Sequence, residues 1–319
     1  MSVRHWPTVT VAVPVLNEAL HIGRCLQAIE AQTYPGPLEV LVVDGGSTDE
    51  TRARVAGRRP GIRLLENRRR VQSAALNIAL AQARGEIIVR VDGHCVIAPD
   101  YVQRCVDALE RTGAAIVGGA MHPVGDGWRA RGIAAAMMSP IGAGPARFHV
   151  GGESGWVDTV YLGAFRTALA RRVGGYREDW ITNEDAEFAI RMRPHGGVWF
   201  DNTIRSTYTP RSSIRSVAHQ FYRYGAGRAR TVRCHPRALA PRQLVAPLLV
   251  GSVLSPFRRP VMLAYGTLLA AVGGHQLTRD AKSSPWMVMT LPAMHFAWGL
   301  GFLRGLSMGL FRRSDGAMP

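Results

Sequence analysis

The chain has 319 residues, 47% of them hydrophobic, enough for one large or two modest globular domains. Its four cysteines form no CxxC pair and no His/Cys cluster with zinc spacing, which excludes a zinc module and reads as reduced thiols in a cytosolic protein. The 39 basic and 23 acidic residues give a net charge of +16, but Lys282 is the sole lysine, so the skew reflects genomic composition as much as function.

Residues 1–14 lack the apolar core of a signal peptide, because Trp6-Pro7-Thr8 leads straight into a strand. The chemistry-bearing part is therefore expected on the cytoplasmic side. The first strand covers residues 9–13 and stops at Pro14. Asn17 and Glu18 follow, and Leu20, Ile22, Cys25, Leu26 and Ile29 give the next segment the apolar face of a helix. Tyr34-Pro35-Gly36 breaks it. A second strand over 39–43 ends at Asp44, and Ser47 or Thr48 is placed to cap a helix from Glu50. A short strand over 62–65 precedes Arg68-Arg69-Arg70 and a helix over 72–83. The run Ile87-Ile88-Val89-Arg90-Val91 is a buried strand that ends in Asp92-Gly93-His94. A helix from Pro99 to about Arg111 and a strand over 115–119 follow.

This alternation predicts a parallel sheet with helices on both faces. In such a sheet ligands sit at the carboxyl ends of the strands, where Asp44 and Asp92 fall. A hard oxygen ligand at Asp92, with a second donor at His94, suits a divalent cation gripping a diphosphate. Asp-Gly is also common in plain turns. A dinucleotide-binding domain could use Asp44 on a ribose, but its first turn should read GxGxxG; here it reads Pro14-Val15-Leu16-Asn17-Glu18.

Residues 125–155, rich in Gly, Ala and Pro, read as a long loop or lid. Strand character returns over 157–162, Gly174-Gly175-Tyr176 marks a turn, and Asn183-Glu184-Asp185 opens a helix. The two acids either complement the helix dipole or supply a general base. Between Asp201 and Asp280 there is no acidic residue but many arginines, a region drawn to lipid head groups, polyphosphate or nucleic acid. Its helix, from Arg211 to about Arg233, interleaves aromatic and basic residues, which suits a membrane surface, nucleic-acid stacking or an ordinary basic face. Uncharged runs then cover 243–257, 260–278 and 283–303, of which the last is long enough to cross a bilayer and the second marginal. They read as membrane-embedded segments or as buried helices of a soluble domain.

Taken together, Val13-Pro14-Val15-Leu16-Asn17-Glu18, Val43-Asp44-Gly45-Gly46-Ser47-Thr48-Asp49, Gln72-Ser73-Ala74-Ala75-Leu76-Asn77, Asp92-Gly93-His94, Asn183-Glu184-Asp185 and Gln220-Phe221-Tyr222-Arg223-Tyr224 resemble the family 2 inverting glycosyltransferases. The likeness is greatest to bacterial succinoglycan-type enzymes of exopolysaccharide synthesis and spans about residues 8–235. It implies an α/β, A-type nucleotide-sugar transferase (GT-A) fold with a mostly parallel sheet over 1–210, a basic interfacial helix over 211–242 and membrane-associated helices over 243–319. It places Pro14, Asn17, Glu18 and Asp44 around the nucleoside of a nucleotide-sugar donor, with Arg70 near the phosphates. Asp92 and His94 occupy the family's DxD position, which holds Mg²⁺ or Mn²⁺ on the diphosphate; histidine replaces the second aspartate. Asp185 matches the general base of the family's ED motif, beside Glu184. Gln220, Arg223 and Tyr224 match its QxxRW motif, with tyrosine for tryptophan, by the acceptor and diphosphate.

The resemblance thus implies transfer of a hexose, from a UDP-linked donor, to a lipid-linked (polyprenyl diphosphate) saccharide at the cytoplasmic face of the inner membrane, with no nucleic-acid partner. Two other readings are a processive polysaccharide synthase, which shares QxxR(W/Y), and a basic, non-enzymatic membrane or nucleic-acid binding protein, which leaves the strand-end aspartates and Glu184-Asp185 unexplained.

Overall fold

The structure, a computed structural model, describes residues 5–58, 61–210 and 213–314. Its elements begin with β1 (Val9–Val15), α1 (Ile22–Glu30), β2 (Leu38–Asp44), α2 (Thr51–Ala56), β3 (Ile62–Glu66), α3 (Gln72–Gln82), β4 (Ile87–Arg90), β5 (Cys95–Ile97) and α4 (Tyr101–Thr112). There follow β6 (Ile116–Pro123), α5 (Gly127–Met138), α6 (Arg147–Val150), β7 (Gly155–Val157), β8 (Tyr161–Arg166), α7 (Thr167–Arg172), α8 (Glu184–Met192) and β9 (Val198–Tyr208). The last are α9 (Ile214–Cys234), α10 (Val245–Ser252), α11 (Arg258–Arg279) and α12 (Ser284–Ser314). Arg211, expected to open the basic helix, lies outside the described residues. The chain forms two compact units, residues 1–122 with 151–208 and residues 123–150 with 209–319.

In the first unit one sheet runs β3-β2-β1-β4-β8-β6-β9-β5, with β7 on β9. The half built by the early β/α alternation is parallel, β2 and β4 flanking β1 and β3 flanking β2. Every residue of β1 and β4 is buried, as a strand covered on both faces requires. Beyond β4 the pairing turns antiparallel at β8, and β5 and β7 join β9 in the same sense.

The chain parts from its sequence pattern at three places. The expected strand over 157–162 is two strands, β7 ending at Val157 and β8 starting at Tyr161. Leu162 there holds a left-handed φ of 61°, a strained conformation for a branched side chain. Leu20, expected on the apolar face of the first helix, lies outside α1 and is exposed. Residues 125–155 are not a lid loop: they contain α5, which belongs to the second unit and packs on α12. Gly132 permits that packing, because a Cβ there would lie 2.5 Å from the Ser283 carbonyl oxygen.

The second unit is built around α12, which packs on α9, α10, α5 and α11. Glycines allow the closest approach. A Cβ on Gly225 of α9 would sit 2.0 Å from the Trp298 carbonyl oxygen, and one on Gly301 of α12 the same 2.0 Å from that of Tyr222. Among the described residues one helical stretch, Ser284–Met308, is long and apolar enough to cross a membrane, with 39% of its most apolar window buried against protein.

Candidate active site

The loops after β1 and β2 are latched to each other. Asn17 takes a left-handed φ of 56°, which asparagine tolerates. Its amide donates to Ser47 Oγ at 2.9 Å, and its Oδ1 accepts from the Thr48 amide at 2.8 Å. The Glu18 amide donates to Thr51 Oγ1 at 2.8 Å. Ser47 and Thr48 therefore do not cap α2 as expected; its N-cap position is Glu50, with no side-chain cap bond, and Asp49 just before it accepts from the Thr51 amide at 3.0 Å. Asp44, 1% exposed, accepts from the amides of Gly46 and Ser47 at 3.1 Å each and from the Ser47 hydroxyl. Its carboxylate is thus tied to its own loop, with Arg52 Nη1 3.7 Å away.

Pro14 stands in β1 opposite Val43. Proline in an inner strand removes a ladder donor, but here β4 follows β1 only as far as Ala12. The Ala12 carbonyl accepts from Val91, so position 14, two residues on, faces the same side after β4 has left. The missing N–H costs nothing, and the strands are free to diverge.

At that divergence Asp92 is 7% exposed. Its Oδ1 accepts from Arg90 Nε at 2.9 Å and Gln72 Nε2 at 3.0 Å, while Oδ2 meets Arg90 Nη2 at 3.3 Å. The same Nη2 lies 3.5 Å from Glu184 Oε1. Burial opposes the charge on Asp92, but Arg90 beside it holds the carboxyl below its ordinary range. Gly93 follows because a Cβ there would strike Val15 Cγ1 at 2.8 Å. His94 Nδ1 lies 3.0 Å from Glu18 Oε1, joining the β4 end to the β1 loop.

Glu184 and Asp185 open α8, after Asn183 in a left-handed conformation. The helix is pinned at several points. Arg191 pairs with buried Glu187 at 2.7 Å and donates to the carbonyls of Val173 and Gly175, while Tyr176 stacks on Phe188 at 4.2 Å between centroids. From the other side, Asn77 makes a reciprocal pair with the Tyr176 backbone, both bonds 2.7 Å, and Ser73 donates to the Trp180 carbonyl. The stretch Gln72-Ser73-Ala74-Ala75-Leu76-Asn77 is therefore a bracket: Gln72 holds Asp92, while Ser73 and Asn77 hold the segment leading to α8.

The two acids have different surroundings. Glu184 is buried against Arg90, and burial followed by the Asp185 charge pushes its carboxyl up to about 7. Asp185 is less buried, accepts from the Ala186 amide at 2.7 Å and lines a small cleft with Thr159, Leu162 and Tyr176.

Arg70, at φ 58°, is exposed on a turn built around buried Asn67. Arg68 and Arg69 pair with Glu66 and Glu178, whereas Arg70 has no acidic partner among the described residues. Gln220, Arg223 and Tyr224 belong to the second unit, on α9, where Gln220 Nε2 donates to the Tyr224 hydroxyl at 2.7 Å.

No group of three or more His, Cys, Asp or Glu side chains among the described residues could hold a metal. Asp92 and His94 nevertheless fit an ion that draws its other ligands from a diphosphate and water. Asp92 Oδ2 carries the long 3.3 Å contact to Arg90, and Glu18 on Nδ1 fixes the orientation of the His94 imidazole. Sequence reasoning passed over Arg90 and gave Gln72 no role. The available signal was an arginine inside a wholly apolar strand, since a buried guanidinium demands acidic partners.

Strand-end carboxylates on a sheet whose parallel half carries the site, followed by an acid pair opening a helix, define an A-type nucleotide-sugar transferase. Residues 10–174 match the model for Glycosyl transferase family 2, and the chain belongs to that family and is a glycosyltransferase. It is 32% identical over 310 residues to the succinoglycan biosynthesis protein ExoA of Rhizobium meliloti (strain 1021), covering 93% of this chain and 94% of that protein. It is also similar to the dolichyl N-acetyl-alpha-D-glucosaminyl phosphate 3-beta-D-2,3-diacetamido-2,3-dideoxy-beta-D-glucuronosyltransferase of Methanococcus voltae, at 26% identity over 238 residues, 70% of this chain and 74% of that one. Among solved structures, the mannosyltransferase PcManGT from Pyrobaculum calidifontis, in complex with GDP-Man and Mn²⁺, shares the fold with a TM-score of 0.61 at 24% identity, over 94% of this chain and 88% of that chain.

Proposed function

We propose that the protein is an inverting, metal-dependent hexosyltransferase of exopolysaccharide or cell-surface glycan synthesis. It moves a hexose from a UDP-linked donor to a polyprenyl-diphosphate-linked saccharide at the cytoplasmic face of the inner membrane. One observation carries the reading: a single buried ionic network joins Asp92, at the end of β4, to Glu184, next to Asp185 at the start of α8. A donor-binding carboxylate and a base are thereby held in fixed relation.

A sugar hydroxyl is a weak nucleophile, so Asp185 takes its proton as it attacks the anomeric carbon. The more exposed of the two acids suits that task, while Glu184 is engaged by Arg90. In-line attack opposite the leaving diphosphate inverts the anomeric centre and calls for no carboxylate nucleophile. Asp92 and His94 would hold Mg²⁺ or Mn²⁺, which when bound offsets the charge growing on the leaving diphosphate. Arg70 adds a cation to that charge. Pro14, Asn17, Glu18 and Asp44 frame the nucleoside; Glu184, Gln220, Arg223 and Tyr224 serve the acceptor and its diphosphate. The lipid-linked acceptor is supported by the relative named for a dolichyl phosphate substrate and by a stretch between Asp201 and Asp280 that has arginines and no acid. Metal use is supported by the structural neighbour solved with GDP-Man and Mn²⁺.

The test is transfer by the full chain in detergent, with UDP-hexoses and a lipid-linked saccharide, read by mass spectrometry. Asp185→Asn should abolish transfer while nucleotide-sugar binding persists. Wild-type rates in that variant would remove Asp185 from the chemistry.

A further inference from the structure

Two carboxylates and one guanidinium share the buried contact between the end of β4 and the start of α8. Arg90, Asp92 and Glu184 are each at most 7% exposed. Arg90 Nε holds Asp92 Oδ1 at 2.9 Å, but its Nη2 stands between Asp92 Oδ2 at 3.3 Å and Glu184 Oε1 at 3.5 Å. A full charge-assisted N–H···O bond is shorter, about 2.7–2.9 Å, so Nη2 is fully bonded to neither acid. The charges that act most strongly on Glu184 are those of Asp185, Arg90 and Asp92. The cluster is richer in acid than in base, and Arg90 is divided between two carboxylates.

The other contacts of the cluster show what depends on Arg90. Asp92 has a second holder, Gln72 Nε2, at 3.0 Å on Oδ1. Glu184 has no other ion-pair partner among the described residues. Further along, α8 is anchored from Glu187 onward, through Arg191 and the Tyr176–Phe188 stack. Its first turn, which carries Asp185, is tied to the end of β4 by the Arg90–Glu184 contact.

We infer that Arg90 is a positioning residue that couples the donor side of the site to the base: once a divalent cation on Oδ2 offsets the charge of Asp92, Arg90 shifts Nη2 to Glu184 and fixes the first turn of α8, with Asp185, for the acceptor hydroxyl. The inference rests on the donor and base roles proposed above. A second cation on the Asp92 carboxylate weakens its attraction for Arg90 and repels the guanidinium. Coupling of this kind is reciprocal. Whatever holds Arg90 on Glu184 frees Asp92 for the cation, so Glu184 aids the binding of a ligand it does not touch.

The experiment is calorimetry of the full chain in detergent with UDP and Mn²⁺, joined to hydrogen exchange of α8. Glu184→Gln should weaken Mn²⁺-dependent UDP binding about fivefold, the low end of couplings between sites, since Arg90 then stays on Asp92. Loss of a nearby negative charge also weakens cation binding through space, and two variants separate the causes. Asp185→Asn removes the neighbouring charge without removing a partner of Arg90, and should leave binding close to that of wild type. In an Arg90→Lys background, where one ammonium replaces the forked guanidinium, Glu184→Gln should have no further effect on binding. Mn²⁺ with UDP should slow exchange of the amides of residues 186–189 severalfold in wild type but not in Arg90→Lys. Equal binding by wild type and Glu184→Gln, the same loss in the Arg90→Lys background, or α8 exchange indifferent to Mn²⁺ and UDP would each overturn the inference and leave the proposed function standing. Absence of Mn²⁺-dependent UDP binding in folded wild-type protein would overturn both.

Discussion

Arg90 and Asp92 lie on the same strand end, two residues apart, and their side chains turn back on each other in a buried two-point ion pair, 2.9 Å and 3.3 Å. Arg90 is the last residue of β4 and Asp92 lies two residues beyond it, so the pair is local in sequence. It needs the fold to justify burying it. Glu184 and Gln72 complete the network and tie two distant segments to the end of β4.

Removing one partner of a buried pair leaves the other uncompensated, at a cost of roughly 3–5 kcal/mol. Arg90→Met should therefore lower the stability of the chain by about that amount in urea titration, since it strands both Asp92 and Glu184. Asp92→Asn should cost less, because Arg90 keeps Glu184. Equal, surface-like losses for the two would show that the network is not structural.

Glu184 supplies a pH signature. Its carboxyl is raised from the ordinary 4.5 to about 7 by burial and by Asp185, so the folded chain holds that proton more tightly than the unfolded one. The stability this brings is complete below about 4.5 and is lost as pH rises through 7. Relative to Glu184→Gln, the wild type should lose stability across that window and run parallel above it. A difference constant with pH would contradict the shift. Asp92, shifted the other way, loses its stabilisation only as pH falls below the ordinary carboxylate range.

Gly93 tests the junction of the β1 and β4 ends. Gly93→Ala would push on Val15 and on Glu18 Cγ, 2.8 Å and 3.3 Å from the new Cβ. The expected loss is about 1–3 kcal/mol, together with weaker nucleotide binding as the Glu18–His94 contact shifts. Thermal unfolding and nucleotide titration of the same sample separate the two effects.

Gly301 does the same for the second unit. Gly301→Leu places a side chain against the Tyr222 backbone, so α9 and α12 cannot keep their spacing. Loss of helical circular dichroism or insolubility is expected, whereas Gly274→Leu, where a Cβ meets nothing within 4 Å, should be tolerated.

The parallel half of the sheet was legible because β1, β2 and β4 are largely buried and read as short, mostly apolar runs rich in β-branched residues. β9 was not read. Its alternation, with Val198, Phe200, Ile204 and Ser206 inward, is interrupted by Asp201-Asn202-Thr203, and buried Asp201 is tolerable only because Thr203 and Arg111 bond it. α5 was hidden for a different reason: Gly127 and Gly132 weaken local helix preference, and the contact with residues 283–287 that overrides it comes from far along the chain. At the site, strand-end acids are visible because strand ends are visible. The grip of Arg90 on Glu184 spans 94 positions, as the difference 184 − 90 shows, and no local pattern encodes it.

The most direct test of the account is calorimetry of the detergent-solubilised full chain with UDP, GDP and dTDP, each with and without Mn²⁺. The account predicts Mn²⁺-dependent binding of UDP, lost in Asp92→Ala and retained in Asp185→Asn. Binding that ignores Mn²⁺ and survives Asp92→Ala, in folded protein, would contradict it.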